Sequence, residues 1–309
     1  MREKLNYYYS INAIGIIKVS QKVYKIKTKD TFYALKLVRN ELSLEHYPYV
    51  NSLHLDCFIP IIVNCDGNFL TSYQDQYFYV MPWIVTDDFI VKELKLRQYF
   101  YLLAMIHNRS YYSLKVNIGY FKSMIEQLNE MIVARLEYYT NKLQQFEFNY
   151  FKSPAEWEFV LNFPLFIKQL EQSRNFLSLF ENISESLTSV RLSLVYMNFN
   201  VKHISLQANM LLSIDKIRID LPIYDLYDLF LHQDTMVYEN GLLVESYLHK
   251  FMLYDYERVL LACLLTCIPL LEFSKDEVDN VIRITKLLNY IDSSQQFITK
   301  LNIAHEIKK

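Results

Sequence analysis

Hydrophobic and polar positions follow two different periods along the chain. In residues 21–28, Val23, Tyr24 and Ile26 alternate with Lys and Thr, the period-2 pattern of a half-buried strand. Lys29-Asp30 is a turn, and 31–39 reads as a second strand paired with the first. The stretch 40–54 is helical in part. Residues 58–64 and 69–74 flank Asp66-Gly67, a strong hairpin-turn pair, and predict a second hairpin. A strongly apolar strand follows over 77–85.

From Thr86 the period lengthens. Leu94, Phe100, Leu102, Leu103 and Ile106 predict a helix over 91–110. Met124, Leu128, Met131, Ile132 and Leu136 form one face of a long helix within 119–148, with charges on the other. Pro154 suits the first turn of another helix, and Pro164 predicts a kink or break in it. Residues 191–199 and 210–219 read as extended, and 225–233, 257–266 and 275–303 as helices. The expected class is α+β, with a β-rich lobe over 1–85 and a helical lobe over 86–309.

Composition narrows the functions. Of 309 residues, 52% are hydrophobic, enough for a large core, and the net charge of −2 offers no excess for nucleic acid or an anionic membrane. The start is not a signal peptide, and the longest apolar run, 259–271, is too short to span a bilayer and reads as a buried helix. These features predict a cytoplasmic protein without membrane insertion. Cys57, Cys65, Cys263 and Cys267 predict thiols in a reducing interior, not a disulfide framework or metal cluster. Only four glycines are present, so phosphate-cradling turns are scarce; Gly15 is the one near the N-terminus. No GxSxG, HExxH, CxxC or GxxxxGK[ST] occurs.

An ordered set of weaker motifs resembles the protein-kinase-like superfamily, on its aminoglycoside and choline phosphotransferase side. "VYKIKTKDTFYALKLV" resembles the strand pair carrying the nucleotide lysine, and "YFYVMPWI" the strand leading to the inter-lobe hinge. "LLAMIHNRS" resembles the superfamily's "LAxLHxxS" helix end. "LVYMNFNVKHI" stands where the family writes "LVHGDLxPxNxL"; "LLSIDKI" and "LPIYDL" resemble its "IDF/IDW" strand and "dPxyDL" segment. Within the superfamily the chain is most similar to spore-coat kinase-like (CotS-type) proteins.

The resemblance implies a bilobal protein-kinase-like fold with a small antiparallel sheet lobe. It implies that Lys36 holds nucleotide phosphates, paired with Glu41 or Glu45, and that Met81 and Trp83, with Val80 and Pro82, line the adenine slot. On its residues alone, Lys36 reads rather as a solvated strand lysine, since Lys recurs at 18, 22, 25, 27 and 29; only the resemblance singles it out. His107 and Asp225 would be structural, and Asp215 would be the metal-binding aspartate. Tyr196 falls on the family's His, Met197 on its Gly, Asn198 on its catalytic Asp and His203 on its metal-binding Asn. An amide takes no proton and carries no charge, and Mg2+ prefers oxygen to imidazole. The catalytic loop therefore reads as degenerate, leaving Asp215 as a weak metal ligand. The expected function is a pseudokinase acting as a binding or scaffold component with protein partners, spore-coat components among them, in the cytoplasm or the coat. The alternatives are a nucleotide-binding sensor and a weakly active small-molecule phosphotransferase. ATP with Mg2+ is the cofactor the family implies, and no nucleic-acid partner is expected.

Overall fold

The computed structural model describes residues 1–85, 92–232 and 240–303. The elements run α1 (Arg2–Tyr9), β1 (Gly15–Lys18), β2 (Val23–Lys27), β3 (Phe32–Val38), α2 (Tyr47–Ser52), β4 (Thr71–Tyr73), β5 (Gln76–Pro82), α3 (Lys92–Ser110), β6 (Tyr112–Lys115), α4 (Lys122–Glu147) and α5 (Pro154–Ser184). They continue as β7 (Ser189–Val195), β8 (Ile204–Ser205), β9 (Met210–Leu211), β10 (Arg218–Asp220), α6 (Ile223–His232), α7 (Asn240–Lys250), α8 (Asp255–Thr266) and α9 (Glu277–Lys300). An antiparallel sheet near the N-terminus and a mainly helical C-terminal part make the fold α+β, as the periodicity predicts. The chain forms two compact units, Met1–Ser110 with Ser193–Asp220, and Tyr111–Leu192 with Leu221–Lys309.

In the first unit the sheet order is β1-β2-β3-β5-β4, antiparallel throughout. Strand alternation sorts its side chains. Ile26, Leu35, Phe78 and Val80 join Leu5 of α1 and Ile11 in one buried cluster. The other face carries Lys25, Ala34, Lys36, Tyr79 and Met81, with Ala34 opposite Met81 and Lys36 opposite Tyr79. Helix α1 was not predicted; Leu5 is its single buried residue, too few to produce a helical period.

The hairpin expected across 58–74 does not form. Residues 58–64 make only isolated bridges, Phe58 with Leu211 and Ile62 with Val80, while β4 pairs with β5 around Gln74 and Asp75. Pro60 has no N–H for a ladder. Asn64 then closes the Asp66-Gly67 turn locally: its Oδ1 accepts from the Asp66 and Asn68 backbones at 3.0 and 2.9 Å, and its Nδ2 donates to Thr71 Oγ1 at 3.0 Å. On α3, Leu96, Phe100, Leu102, Leu103, Ile106 and His107 are buried, whereas Leu94 is half exposed.

In the second unit α4 and α5 form a hairpin packed with α8 and α9. Leu128 and Ile132 of the predicted α4 face are buried. Ser153 and Glu156 form a capping box at the start of α5. The helix is continuous through Pro164, so the alternative of a break is not realised. Phe159 and Phe166 pack on Tyr139 at 5.9 and 5.4 Å between centroids, and such packing offsets the ~3 kcal/mol an interior proline costs. The apolar run 259–271 is helical only to Thr266; beyond it, Tyr139 donates to the Pro269 carbonyl and Arg135 to those of Cys267 and Ile268. Arg191 on β7 pairs with Glu257 on α8, and its guanidinium lies between the Phe251 and Tyr254 rings, 4.0 and 4.1 Å from their centroids. Asp225, on α6, is fully buried in this unit. Gln233, at the end of one predicted helix, lies outside the described residues. The cysteines are free; burial pushes the Cys57 and Cys263 thiols up to about 12. Among the described residues no helix is long and apolar enough to cross a membrane.

Candidate functional site

The candidate site is built within the first unit. The polar face of the sheet brings Lys36 and Tyr79 side by side. The segment after β9 delivers Asp215 to both: the Lys36 ammonium donates to Asp215 Oδ1, and the Tyr79 hydroxyl donates to the same oxygen at 3.3 Å. The Lys36 and Asp215 side chains are 10% and 18% exposed, so the pair is largely shielded from water. Burial raises the Asp215 carboxyl, but the Lys36 charge and hydrogen bond, the residue's own backbone and Tyr79 outweigh it and hold the group below 3.8. Burial, then the Asp215 charge, drives the Tyr79 hydroxyl well above its ordinary value. Lys36 thus takes its carboxylate from Asp215, and not from the expected Glu41 or Glu45. Glu41 accepts from Tyr77 at 3.2 Å, and Glu45 is exposed.

The loop 196–204 is anchored by its aromatic residues. Tyr196 is fully buried, its ring 6.2 Å from Tyr99 and 6.3 Å from Phe58, and its hydroxyl donates to the Leu212 carbonyl. Phe199 packs on Tyr99 at 4.9 Å. Met197, on the family's glycine position, has φ 51°, the left-handed conformation for which glycine is the usual residue.

Asn198 and His203 hold this loop to the Asp215 segment. Asn198 Nδ2 donates to the Ser213 carbonyl at 2.6 Å; a carbonyl only accepts, so the amide nitrogen must face it. Ser213 is itself left-handed, at φ 60°. His203 Nδ1 lies 3.0 Å from the Asn198 carbonyl and is therefore the protonated ring nitrogen. Burial lowers the His203 pKa from 6.5; the bond to Asn198 and the Asp215 charge oppose the shift, while Lys36 and Lys216 reinforce it.

These groups can pair with an anion through lysine, but they supply no carboxylate free to take a proton from a hydroxyl. They also do not fit Mg2+, which takes oxygen donors in near-octahedral geometry. Asp215 is paired with Lys36, Asn198 has only a neutral amide oxygen left beside the nitrogen it gives to Ser213, and His203 offers imidazole. Among the described residues no three His, Cys, Asp or Glu side chains converge as a metal site.

Gly15 does not sit in a phosphate-cradling turn. It begins β1, opposite Lys27. The β1–β2 turn is centred on Ser20 and Gln21 instead, and its amides are used internally: Ser20 Oγ accepts from Lys22 and Val23 at 3.3 and 3.2 Å, and the Val19 and Ser20 amides donate to the Val23 carbonyl. Met81 is buried on β5, and half-buried Trp83 lies with Phe32 beneath the Lys25 ammonium, 4.6 and 4.4 Å away. His107 is buried on α3; Asp225 belongs to the other unit. Sequence reasoning missed Tyr79 and Ser213. Tyr79 could have been found by extending the strand alternation from Lys36, whereas a left-handed serine leaves no signal.

No protein-family model matches the chain, and no curated protein matches it. Solved structures do. An aminoglycoside phosphotransferase from Alicyclobacillus acidocaldarius is similar at TM-score 0.67 and 12% identity, covering 94% of this chain and 91% of its own. A spectinomycin phosphotransferase, solved with ADP and spectinomycin, is similar at TM-score 0.57 and 11% identity, over 96% and 97%. A microcompartment-associated aminopropanol kinase is similar at TM-score 0.50 and 9% identity, over 98% of each chain. At such identities the likeness is one of architecture, and by that architecture the chain has the fold of the kinase-like phosphotransferases.

Proposed function

We propose that this protein is a catalytically degenerate member of the kinase-like group that acts by binding, as a scaffold for protein partners. The observation that carries this reading is the Asn198 amide on the Ser213 carbonyl, where the family resemblance puts a catalytic carboxylate. General-base or orienting groups contribute ~10²–10⁴ in rate, and an amide locked onto a carbonyl supplies neither. The partners proposed are spore-coat components, by the CotS-type resemblance of the sequence, met in the cytoplasm or at the coat. Purified full-length protein should show no ATP turnover above background with aminoglycosides or small amino alcohols; robust turnover would sink the reading.

A second reading, a nucleotide-binding sensor, is favoured by Lys36. Its ammonium is placed on the polar face of the sheet beside Asp215, and a neighbour of the same fold has been solved with ADP. The test is whether ADP or ATP raises the melting temperature, and whether Lys36→Ala abolishes the rise.

A further inference from the structure

Asp215 has the charge of a metal ligand but the surroundings of a counter-ion. Its Oδ1 takes both the Lys36 ammonium and the Tyr79 hydroxyl. Its neighbours bring no second carboxylate: Asn198, with its amide nitrogen on the Ser213 carbonyl, has only a neutral amide oxygen to offer, and His203 offers a ring nitrogen. Lys216, next in the chain to Asp215, is exposed and carries a second ammonium. A polyphosphate arriving here meets the Lys36 ammonium, shared with the Asp215 carboxylate, and a second lysine next in sequence. Its charge can be met by ammonium groups, without the cation that a pair of hard oxygen ligands would recruit.

We infer that this site takes a nucleoside di- or triphosphate as a metal-free anion, with Asp215 competing for Lys36 in place of coordinating Mg2+. This rests on the nucleotide-binding reading. It reverses the expected effect of removing Asp215. At a metal-dependent site the loss of the carboxylate weakens binding; here it frees Lys36 and removes a charge that repels phosphate.

The experiment is calorimetric titration of the full chain with ADP and ATP, in excess EDTA and in excess Mg2+. The expected result is affinities within about twofold of each other, since no ligand set selects the Mg2+ complex. Asp215→Asn should bind several-fold more tightly than the parent. Lys216→Ala, at an exposed position, should bind about five- to tenfold more weakly, the scale of one lost charge contact. Should Asp215→Asn fail to fold, the EDTA comparison and Lys216→Ala still decide. Binding that appears only with Mg2+, or that weakens in a folded Asp215→Asn, overturns the inference while leaving a nucleotide-binding protein. No binding in either buffer overturns the nucleotide reading and the inference with it.

Discussion

The Asn198 amide and the Ser213 carbonyl face each other at 2.6 Å, joining the loop 196–204 to the segment that carries Asp215. The bond requires an amide. A carboxylate in the same rotamer would set oxygen against oxygen, and Ser213, held at φ 60°, has little freedom to turn away.

Asn198→Asp should therefore not create a kinase. It should lower stability by ~1–3 kcal/mol, the cost of leaving a buried acceptor unsatisfied, and give no ATP turnover. Urea unfolding together with a coupled ATPase assay measures both. Appearance of turnover would show that one carboxylate was the missing part.

Lys36 and Asp215 should behave as a buried pair. Lys36→Met alone leaves an uncompensated, largely shielded carboxylate and should cost ~3 kcal/mol. Lys36→Met with Asp215→Leu should recover most of that, because both charges leave together. A double-mutant cycle by chemical denaturation gives the coupling directly, and simple additivity would mean the two groups do not interact.

Acid should weaken the fold in two steps. Burial, with Lys36 and Lys216, places folded His203 below 6.5, and Lys36 overcomes burial to place folded Asp215 below 3.8. Between each folded and unfolded value the unfolded chain holds the extra proton, so stability rises with pH across that interval. The His203 contribution is complete above 6.5 and is lost as pH falls through the folded value; that of Asp215 is complete above 3.8 and is lost below it. His203→Gln should flatten the first step in melting temperature against pH and leave the second.

In the second unit, Arg191→Met should be more damaging than any surface charge change, at ~3–5 kcal/mol. It strands Glu257, which is fully buried, and removes a cation from between two rings. An Arg191→Met protein with unchanged melting behaviour would show that the cluster adds nothing to stability.

Much of this was legible beforehand because it depends on period. The β2–β3 pair, β5, α3 and the α4 face follow directly from where apolar residues recur, and the ordered motifs singled out Lys36, Asn198, His203 and Asp215, which all fall within the first unit. What the sequence did not disclose depends on single contacts. Asn64 diverts a promising turn from a hairpin by hydrogen-bonding its own neighbours. Pro164 lies inside a continuous helix whose Phe159 and Phe166 pack on Tyr139 of α4, a contact the local sequence does not announce. Lys36 chooses Asp215, 179 positions away, over two glutamates close by, a choice set by the face of a sheet and not by proximity in the chain.

The α4–α5 hairpin also affects how the second unit can fold. Strand β6 pairs with β7 from Tyr112–Leu192 to Lys115–Ser189, and everything between them is that hairpin. If the two helices zip first through their local contacts, they carry the strand ends together, and the entropy of closing the loop falls to that of the short stems. A pairing that looks remote in sequence then becomes nearly local in time.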